Sequence, residues 1–214
     1  MKIEIWSDVA CPFCYIGKRR LEEALKGFEH QSEVEIEWKS FQLNPELKTN
    51  KTQSIHEYLA EAKGWTIEYA KQMGEQVNAM AEEVGLHYNM EATVVANTMN
   101  AHRLIQFAKT KNLGDAIEEA LFKAYFMEGK NIDNQDTLIE IGVNIGLNAD
   151  KAKTILSEMQ YSEQVEFDAY EAQQIGVRGV PFFVFNRKFG ISGAQPLEVF
   201  TRTLVQAYAE ENKV

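Results

Sequence analysis

The sequence predicts an α/β fold in which a large, all-helical segment interrupts a sheet-containing domain. Patterns typical of β-strands occur only near the two ends of the chain, at Lys2–Trp6, Val34–Trp38, Phe182–Phe185 and Phe189–Ile191. From residue 52 to residue 161, helix caps and helical periodicity are the only patterns present. Because neither a βαβ unit nor a hairpin is stable alone, the terminal regions are expected to share one sheet. We therefore predict a discontinuous domain, residues 1–51 and 162–214, and an inserted helical domain, residues 52–161.

The N-terminal region predicts a strand, a helix and a second strand. Lys2–Trp6 is a short alternating segment, and Pro12 opens the helix that follows it. The apolar residues of this helix recur with helical spacing, at Leu21, Ala24, Leu25 and Phe28. A half-buried second strand is indicated by Val34, Ile36 and Trp38, which alternate with charged residues. The connection between the two strands is expected to be right-handed.

The central segment carries start and stop signals for a series of helices. Ser54 and Glu57 form a capping box, and Gly64 is a natural end for the helix between them. The further helices predicted here run from Thr66 to Gly85, from Thr93 to Asn112 and from Asp115 to Gly129, followed by two with caps at Asp133 and Asn148. Ser162 begins another helix, which ends at Gly176.

The C-terminal region returns to strand patterns. Phe182–Phe185 is continuously apolar, which indicates a strand buried on both faces. Asn186–Lys188 is a turn, and Phe189–Ile191 is a short returning strand. Pro196 opens a terminal helix with one apolar face.

The charge balance argues against two classes of partner. The 214 residues include 22 basic and 32 acidic side chains, for a net charge of −10. Nucleic acid and anionic membrane surfaces both repel an acidic protein, so we expect neither as a partner. The N-terminus enters a strand directly, with no secretory leader and no apolar run of transmembrane length. We therefore expect a cytoplasmic protein, either a monomer or a homodimer.

The chemistry of the chain centres on its two cysteines, Cys11 and Cys14. They lie between the first strand and the first helix, with Pro12 at the first helical position, so Cys11 is expected at the N-cap. Unpaired backbone N–H groups and the helix dipole stabilise a thiolate there. The thiolate is the form that attacks a disulfide, and Cys14, one turn along, can then release the mixed disulfide.

Other uses of the two cysteines fit the sequence less well. Tetrahedral zinc needs four ligands, and the four histidines (His30, His56, His87 and His102) show no close pairing, so no metal site is predicted. A structural disulfide would close too small a loop to stabilise the fold much. A strand, a C-x-x-C motif and a helix in this order are typical of a thioredoxin-like redox site.

A second motif, Gly176–Pro181, directly precedes the buried strand. Proline cannot donate to a β-ladder, so Pro181 is expected at the first residue of the strand. The residues alone leave open whether the Val180–Pro181 bond is trans or cis. A cis bond would turn the Val180 backbone towards Cys11, where it could pair with an extended substrate chain.

Taken together, these segments resemble the DsbA family of thiol oxidoreductases, and within it the FrnE-like subfamily. The resemblance lies in Trp6–Asp8 with Cys11–Cys14, in Gly176–Phe183 and in Ile191–Gln195. It implies a thioredoxin-like fold with a helical insertion, Cys11 as the nucleophile, Cys14 as the resolving thiol and Pro181 in the cis form. Phe13 stands where periplasmic DsbA has a histidine, which argues against a general secretory disulfide donor.

The family resemblance extends to Asn97–Arg103 in the helical segment, since more distant members use a similar region in glutathione-dependent isomerisation. We include His102 with Phe13, Val180 and Pro181 as candidate substrate-binding residues, although a single histidine on a helix is more often structural. The favoured function is thiol–disulfide exchange, in which protein or small-molecule disulfides are reduced, oxidised or isomerised. No cofactor is expected, and glutathione is a candidate redox partner beside thiol- or disulfide-containing polypeptides.

Two alternatives remain open. One is a glutathione-dependent isomerase or transferase, related to the kappa-class glutathione transferases and the 2-hydroxychromene-2-carboxylate isomerases. Cys14 argues against it, because such an enzyme needs no resolving thiol. The other is a binding or chaperone module in which the cysteines are incidental.

Overall fold

The structure, a computed structural model, describes residues 1–212. Within this range it contains four β-strands and nine α-helices. The strands are β1 (Lys2–Ser7), β2 (Glu35–Ser40), β3 (Phe182–Phe185) and β4 (Phe189–Ser192). The helices are α1 (Pro12–Lys26), α2 (Ile55–Lys63), α3 (Ile67–Glu82), α4 (Met99–Lys109), α5 (Gly114–Phe126), α6 (Gln135–Asn144), α7 (Ala149–Ser157), α8 (Ser162–Gln174) and α9 (Leu197–Glu211).

The chain forms two compact units. The sheet unit comprises residues 1–43 together with residues 166–212, and the helical unit comprises residues 44–165. The helical unit thus begins before residue 52 and ends after residue 161, the two bounds predicted from sequence. The segment after residue 43 is held to this unit by Asn97, whose side-chain amide donates to Pro45 O (3.2 Å) and Leu47 O (2.8 Å). An isolated β-bridge between Asn50 and Val95 adds to these contacts.

All four strands belong to the sheet unit and form one mixed sheet in the order β2-β1-β3-β4. β1 runs parallel to β2, with Ile5 opposite Trp38, and antiparallel to β3, with Ile5 opposite Phe183. β3 and β4 form the antiparallel hairpin, with Phe183 opposite Ile191. The prediction that the two terminal regions share a sheet is therefore confirmed.

One face of the sheet is covered by apolar side chains from α1 and α9. Leu21 of α1 and Phe200 and Leu204 of α9 pack against Ile5 and Phe183 of the strands. The Phe183 and Phe200 rings meet edge to face, with centroids 4.9 Å apart. This packing fixes α1, the helix that begins at the cysteine motif, against the centre of the sheet.

The other face carries α8 and contains buried charges. The Trp6 indole N–H donates to Asp168 O (2.8 Å), and the Ser40 backbone N–H donates to Asp168 Oδ2 (2.8 Å). Lys39 Nζ lies 3.4 Å from Asp168 Oδ1 and 3.0 Å from Glu171 Oε2. Buried charges are tolerated when paired in this way. The network joins α8, and hence the loop that follows it, to β1 and β2.

Most helix starts in the helical unit agree with the sequence, including the capping box of Ser54 and Glu57. Two predicted caps are wrong by one or two positions. Asn134, and not Asp133, caps α6, because Asp133 accepts hydrogen bonds from Thr49 Oγ1 (2.5 Å) and Asn100 Nδ2 (2.7 Å). Asp115 lies in the first turn of α5, because the tight turn after α4 ends at Asn112 (φ 58°) and Leu113 is the N-cap of α5.

The predicted helix from Thr93 to Asn112 begins later, at Met99. Asn97 Oδ1 accepts the Met99 N–H at 2.8 Å, while its amide group binds the carbonyls of the 44–51 segment. These long-range bonds hold the preceding residues outside the helix, in spite of their apolar periodicity. The terminal helix likewise begins at Leu197, with Pro196 as its N-cap.

Candidate active site

The turn between β1 and α1 places Cys11 at the N-cap of α1 and Pro12 at its first position, as predicted. The Cys11 backbone has φ −94° and ψ 110°, which is the extended geometry usual for an N-cap. Its N–H donates to Asp8 O (2.9 Å), and the Cys14 N–H donates to Cys11 O (3.0 Å). The Cys11 side chain therefore lies at the positive end of the helix.

The Gly176–Pro181 loop lies against Cys11. The Val180–Pro181 peptide bond is cis. The Cys11 thiol donates to Val180 O, with Sγ and O separated by 3.4 Å. Gly193 N–H donates to Pro181 O (2.8 Å), which fixes the residue after Val180 to the end of β4. The fold thus brings together residues that lie 169 positions apart in the chain.

Cys14 lies one turn along α1 and is 1% exposed. Burial raises the pKa of its thiol well above the ordinary range, and the neighbouring Cys11 raises it further. The backbone of Asp8 and the side chain of Ser7 act in the opposite direction, because both are polar groups beside the Cys14 sulfur and lower its pKa. Cys14 is therefore held as a neutral thiol at neutral pH, which suits a group that acts second.

Phe13, between the two cysteines, is 37% exposed. Its ring adds an apolar surface beside the cysteines and carries no charge that could act on a thiolate. Its position is compatible with substrate contact, which remains a prediction.

His102 is buried in the helical unit, on α4. Its neighbours in the chain have structural roles. The Arg103 guanidinium donates to Ile155 O (3.2 Å) and Leu156 O (3.0 Å) at the end of α7. Asn100 binds Asp133 before α6. These contacts show that Asn100 and Arg103 help to hold the helical core together. A role for His102 in substrate binding stays a prediction.

Asp8 belongs to the Trp6–Asp8 segment of the family resemblance but not to the predicted site residues, and it organises the loops around the motif. Its carboxylate is buried and accepts the backbone N–H of Leu43 (2.7 Å) and of Ala10 (3.3 Å). Asp8 thereby joins the loop after β2 to the turn that carries Cys11. An aspartate at the first position of a turn commonly accepts the backbone N–H two residues further on, and this is the sequence signal for the role of Asp8.

No three His, Cys, Asp or Glu side chains within residues 1–212 lie together in a way that could hold a metal ion. None of the helices in that range is both long enough and apolar enough to cross a membrane.

Comparisons with known proteins agree with this architecture. A family model described as a DSBA-like thioredoxin domain matches residues 2–205. The chain is 30% identical over 206 residues to the uncharacterised protein YwbO of Bacillus subtilis, with 94% of each chain covered. It is 36% identical to a probable DsbA oxidoreductase from Streptomyces coelicolor, whose crystal structure gives a TM-score of 0.94 over 100% of this chain and 92% of that one.

Two more distant solved structures, each 14% identical, share the fold. One is a 2-hydroxychromene-2-carboxylate isomerase, with a TM-score of 0.72 over 99% of this chain and 98% of that one. The other is the cytosolic disulfide reductase DsbM from Pseudomonas aeruginosa, with a TM-score of 0.68 over 98% and 99%. The fold is thus thioredoxin-like with a helical insertion, and the chain belongs to the DsbA-like thioredoxin-domain family.

Proposed function

We propose that the protein is a thiol–disulfide oxidoreductase that acts through a mixed disulfide on Cys11. The observation that carries the proposal is the position of Cys11 Sγ, which lies at the N-cap of α1 and 3.4 Å from Val180 O, with Cys14 one turn behind it. This arrangement provides a nucleophile, a backbone group beside it for an extended substrate, and a second thiol within reach.

The reaction begins when the Cys11 thiolate attacks one sulfur of a substrate disulfide. That S–S bond breaks, the second substrate sulfur leaves and takes up a proton, and Cys11 is joined to substrate. Cys14 then loses its proton and attacks Cys11 Sγ, which releases the substrate as a dithiol and leaves a Cys11–Cys14 disulfide. Two electrons pass from protein to substrate, and the reverse sequence oxidises a dithiol.

The high pKa of Cys14 makes the second step slower than it would be for an exposed thiol. The polar groups of the Asp8 backbone and the Ser7 side chain support that step, because they favour the thiolate that must form. A slow second step also gives an incorrectly paired substrate time to rearrange while it is bound to Cys11, which is the basis of isomerisation.

We further propose that the Cys11–Cys14 pair reduces its substrates and that the protein works in the cytoplasm. Glutathione is the proposed redox partner, and the protein is proposed to belong to the FrnE-like subfamily. Phe13 supports this direction, because it offers the Cys11 thiolate neither charge nor a hydrogen bond. A less stabilised thiolate makes the dithiol form a better reductant. The substrates would be polypeptides or small molecules that contain disulfides.

The glutathione-dependent isomerase or transferase remains the second candidate, and the shared fold with the 2-hydroxychromene-2-carboxylate isomerase is the observation that favours it. The two functions differ in their need for Cys14. Net reduction or oxidation of a disulfide uses Cys14 in every catalytic cycle, whereas activation of bound glutathione does not use it.

The test compares the parent with Cys11→Ser and Cys14→Ser in a peptide-disulfide reduction assay, followed by mass spectrometry of the intact protein. Cys11→Ser should have no activity. Cys14→Ser should accumulate a mixed disulfide on Cys11 and turn over poorly. If Cys14→Ser keeps full activity only in the presence of glutathione, the isomerase or transferase candidate is supported. If Cys11→Ser matches the parent, both candidates fail.

A further inference from the structure

Gly17 is a glycine at a position in α1 where the helix alone would favour another residue. It lies in the interior of the helix, three residues beyond Cys14, and it is buried. Glycine is among the least favourable residues for a helix interior, and alanine is the most favourable. Alanine would therefore be expected here if only the helix mattered.

The reason is the close approach of two other residues. A Cβ atom on residue 17 would lie 3.0 Å from Phe183 Cζ and 3.2 Å from Pro181 Cγ. Carbon atoms in favourable contact are about 3.5–4.0 Å apart. The backbone of α1 thus rests directly on the ring of Pro181 and the ring of Phe183, and only glycine leaves room for it.

Neither ring can move aside easily. Phe183 is fully buried at the centre of the sheet and packs edge to face on Phe200. Pro181 is held by the hydrogen bond from Gly193 to its carbonyl. A methyl group at position 17 would therefore separate α1 from the Val180–Pro181 segment.

That separation would act on the site already described. The Cys11 sulfur is carried by the N-terminus of the same helix, and it donates to the carbonyl of Val180, the residue next to Pro181. The contact at Gly17 and the contact at Cys11 join the same two pieces of structure. The spacing at Gly17 thus sets the spacing between Cys11 Sγ and the Val180 backbone.

We propose that Gly17 is a positioning residue for the polypeptide substrate. It holds the nucleophilic sulfur and the Val180 backbone at the separation that a bound peptide disulfide requires. This inference rests on the proposed thiol–disulfide exchange and adds a selectivity to it. A polypeptide that pairs with Val180 depends on this separation, whereas a small disulfide that reaches only the sulfur does not.

The experiment measures single-turnover oxidation of the reduced protein by two disulfides, a fluorescent disulfide-linked peptide and bis(2-hydroxyethyl) disulfide. The reduced Cys11–Cys14 pair supplies the two electrons in both cases. Gly17→Ala should lower the second-order rate constant for the peptide by about ten- to a hundred-fold, since misplacement of about 1 Å has effects of this size. The rate constant for the small disulfide should change by less than about three-fold, because it depends on the sulfur alone.

Gly27→Ala is the matched control. Gly27 ends the same helix with φ −87°, and a Cβ there would meet only Ala24 O, at 3.8 Å. Both rate constants should therefore match those of the parent. If Gly17→Ala lowers the midpoint of urea unfolding but leaves the ratio of the two rate constants at the parental value, Gly17 is only a packing residue and the proposal is wrong.

If Gly17→Ala fails to fold, a double variant that carries both Gly17→Ala and Phe183→Leu is compared with the single variant Phe183→Leu. The shorter leucine relieves the 3.0 Å contact and leaves the one with Pro181. The double variant should still lose peptide reactivity selectively, and an unchanged ratio would refute the proposal. A parent protein that reacts with neither disulfide would instead refute the proposed function, so the two failures are distinguishable.

Discussion

The two faces of the sheet are held by different kinds of interaction. Between the sheet and α1 and α9, the contacts are between apolar side chains such as Ile5, Phe183 and Phe200. Between the sheet and α8, Asp168 accepts the Ser40 backbone N–H and pairs with Lys39, beside a smaller apolar cluster. The first face supports the helix that carries Cys11, and the second supports the loop that carries Val180.

Because of this difference, the two faces of the sheet should respond differently to changes in pH and salt. Apolar packing depends on area and shape, so it changes little with pH or salt. The α8 face depends on charges whose protonation changes at the extremes of pH. The nucleophile is therefore fixed by a pH-insensitive contact, and its backbone neighbour by one that weakens in acid. Three sets of variants test this contrast, starting from the largest expected effect on stability.

Phe200→Ala removes the ring that packs on Phe183 and should have the largest effect. Deletion of a fully buried aromatic ring costs about 3–5 kcal/mol of unfolding free energy, because a cavity remains. The loss should be the same at neutral and mildly acidic pH. Urea unfolding followed by circular dichroism measures it. Val205→Ala, an exposed position on the same helix, is the control and should change stability little. A loss for Phe200→Ala that grows in acid would contradict the contrast.

Lys39→Met should cost about 3 kcal/mol, because it leaves the buried Asp168 carboxylate without its cation. Lys26→Met is the matched control, since Lys26 pairs with Glu23 on the surface at 3.0 Å. An exposed pair of this kind contributes at most about 1 kcal/mol. The same unfolding measurement compares them. Equal losses for the two variants would show that the α8 face is not held by its charges.

The pH dependence of the unfolding free energy is a second test of the charges on the α8 face. Burial raises the pKa of Glu171, but the hydrogen bond and charge of Lys39, followed by those of Arg187, outweigh it and lower the pKa below its ordinary value near 4.5. The contribution of Glu171 is therefore present above that value and is lost as the pH falls through the lowered pKa. In Lys39→Met the pKa of Glu171 should rise towards its ordinary value, so Glu171 contributes less at neutral pH and the variant should lose less stability than the parent as the pH falls below about 4.5. Urea unfolding of both proteins at neutral and acidic pH measures the difference, and an equal acid loss in the two would contradict this role for Lys39.

Phe13→His should affect neither face and should leave the unfolding free energy nearly unchanged. Its effect should appear in the redox equilibrium, because an imidazolium near a thiolate stabilises it by about 1–2 kcal/mol. For a two-electron couple this raises the reduction potential by about 20–40 mV, which makes the protein more oxidising. Equilibration with glutathione buffers measures the potential. Phe13→Leu is the control, and an equal rise in that variant would show that the charge is not the cause.

The order of the strands and helices could be predicted because it depends on local spacing. Alternation marks a strand, and the Ser54 and Glu57 pair marks a helix start, since both act within a few residues. The errors occur where distant residues compete for a side chain. Asp133 has the chemistry of a cap, but Thr49 and Asn100 bind it instead, and Asn97 delays α4 in the same way.

By itself the sequence determined the strand, the C-x-x-C motif and the helix behind it, and hence the position of Cys11 at an N-cap. The family resemblance added Val180 and Pro181, which the residues alone left open. Only the tertiary structure decided that Cys11 Sγ lies 3.4 Å from Val180 O and that Gly17 sits against Pro181. It also decided that burial raises the pKa of Cys14. These features depend on contacts between segments far apart in the chain, and no local pattern records which distant side chain will fill a given space.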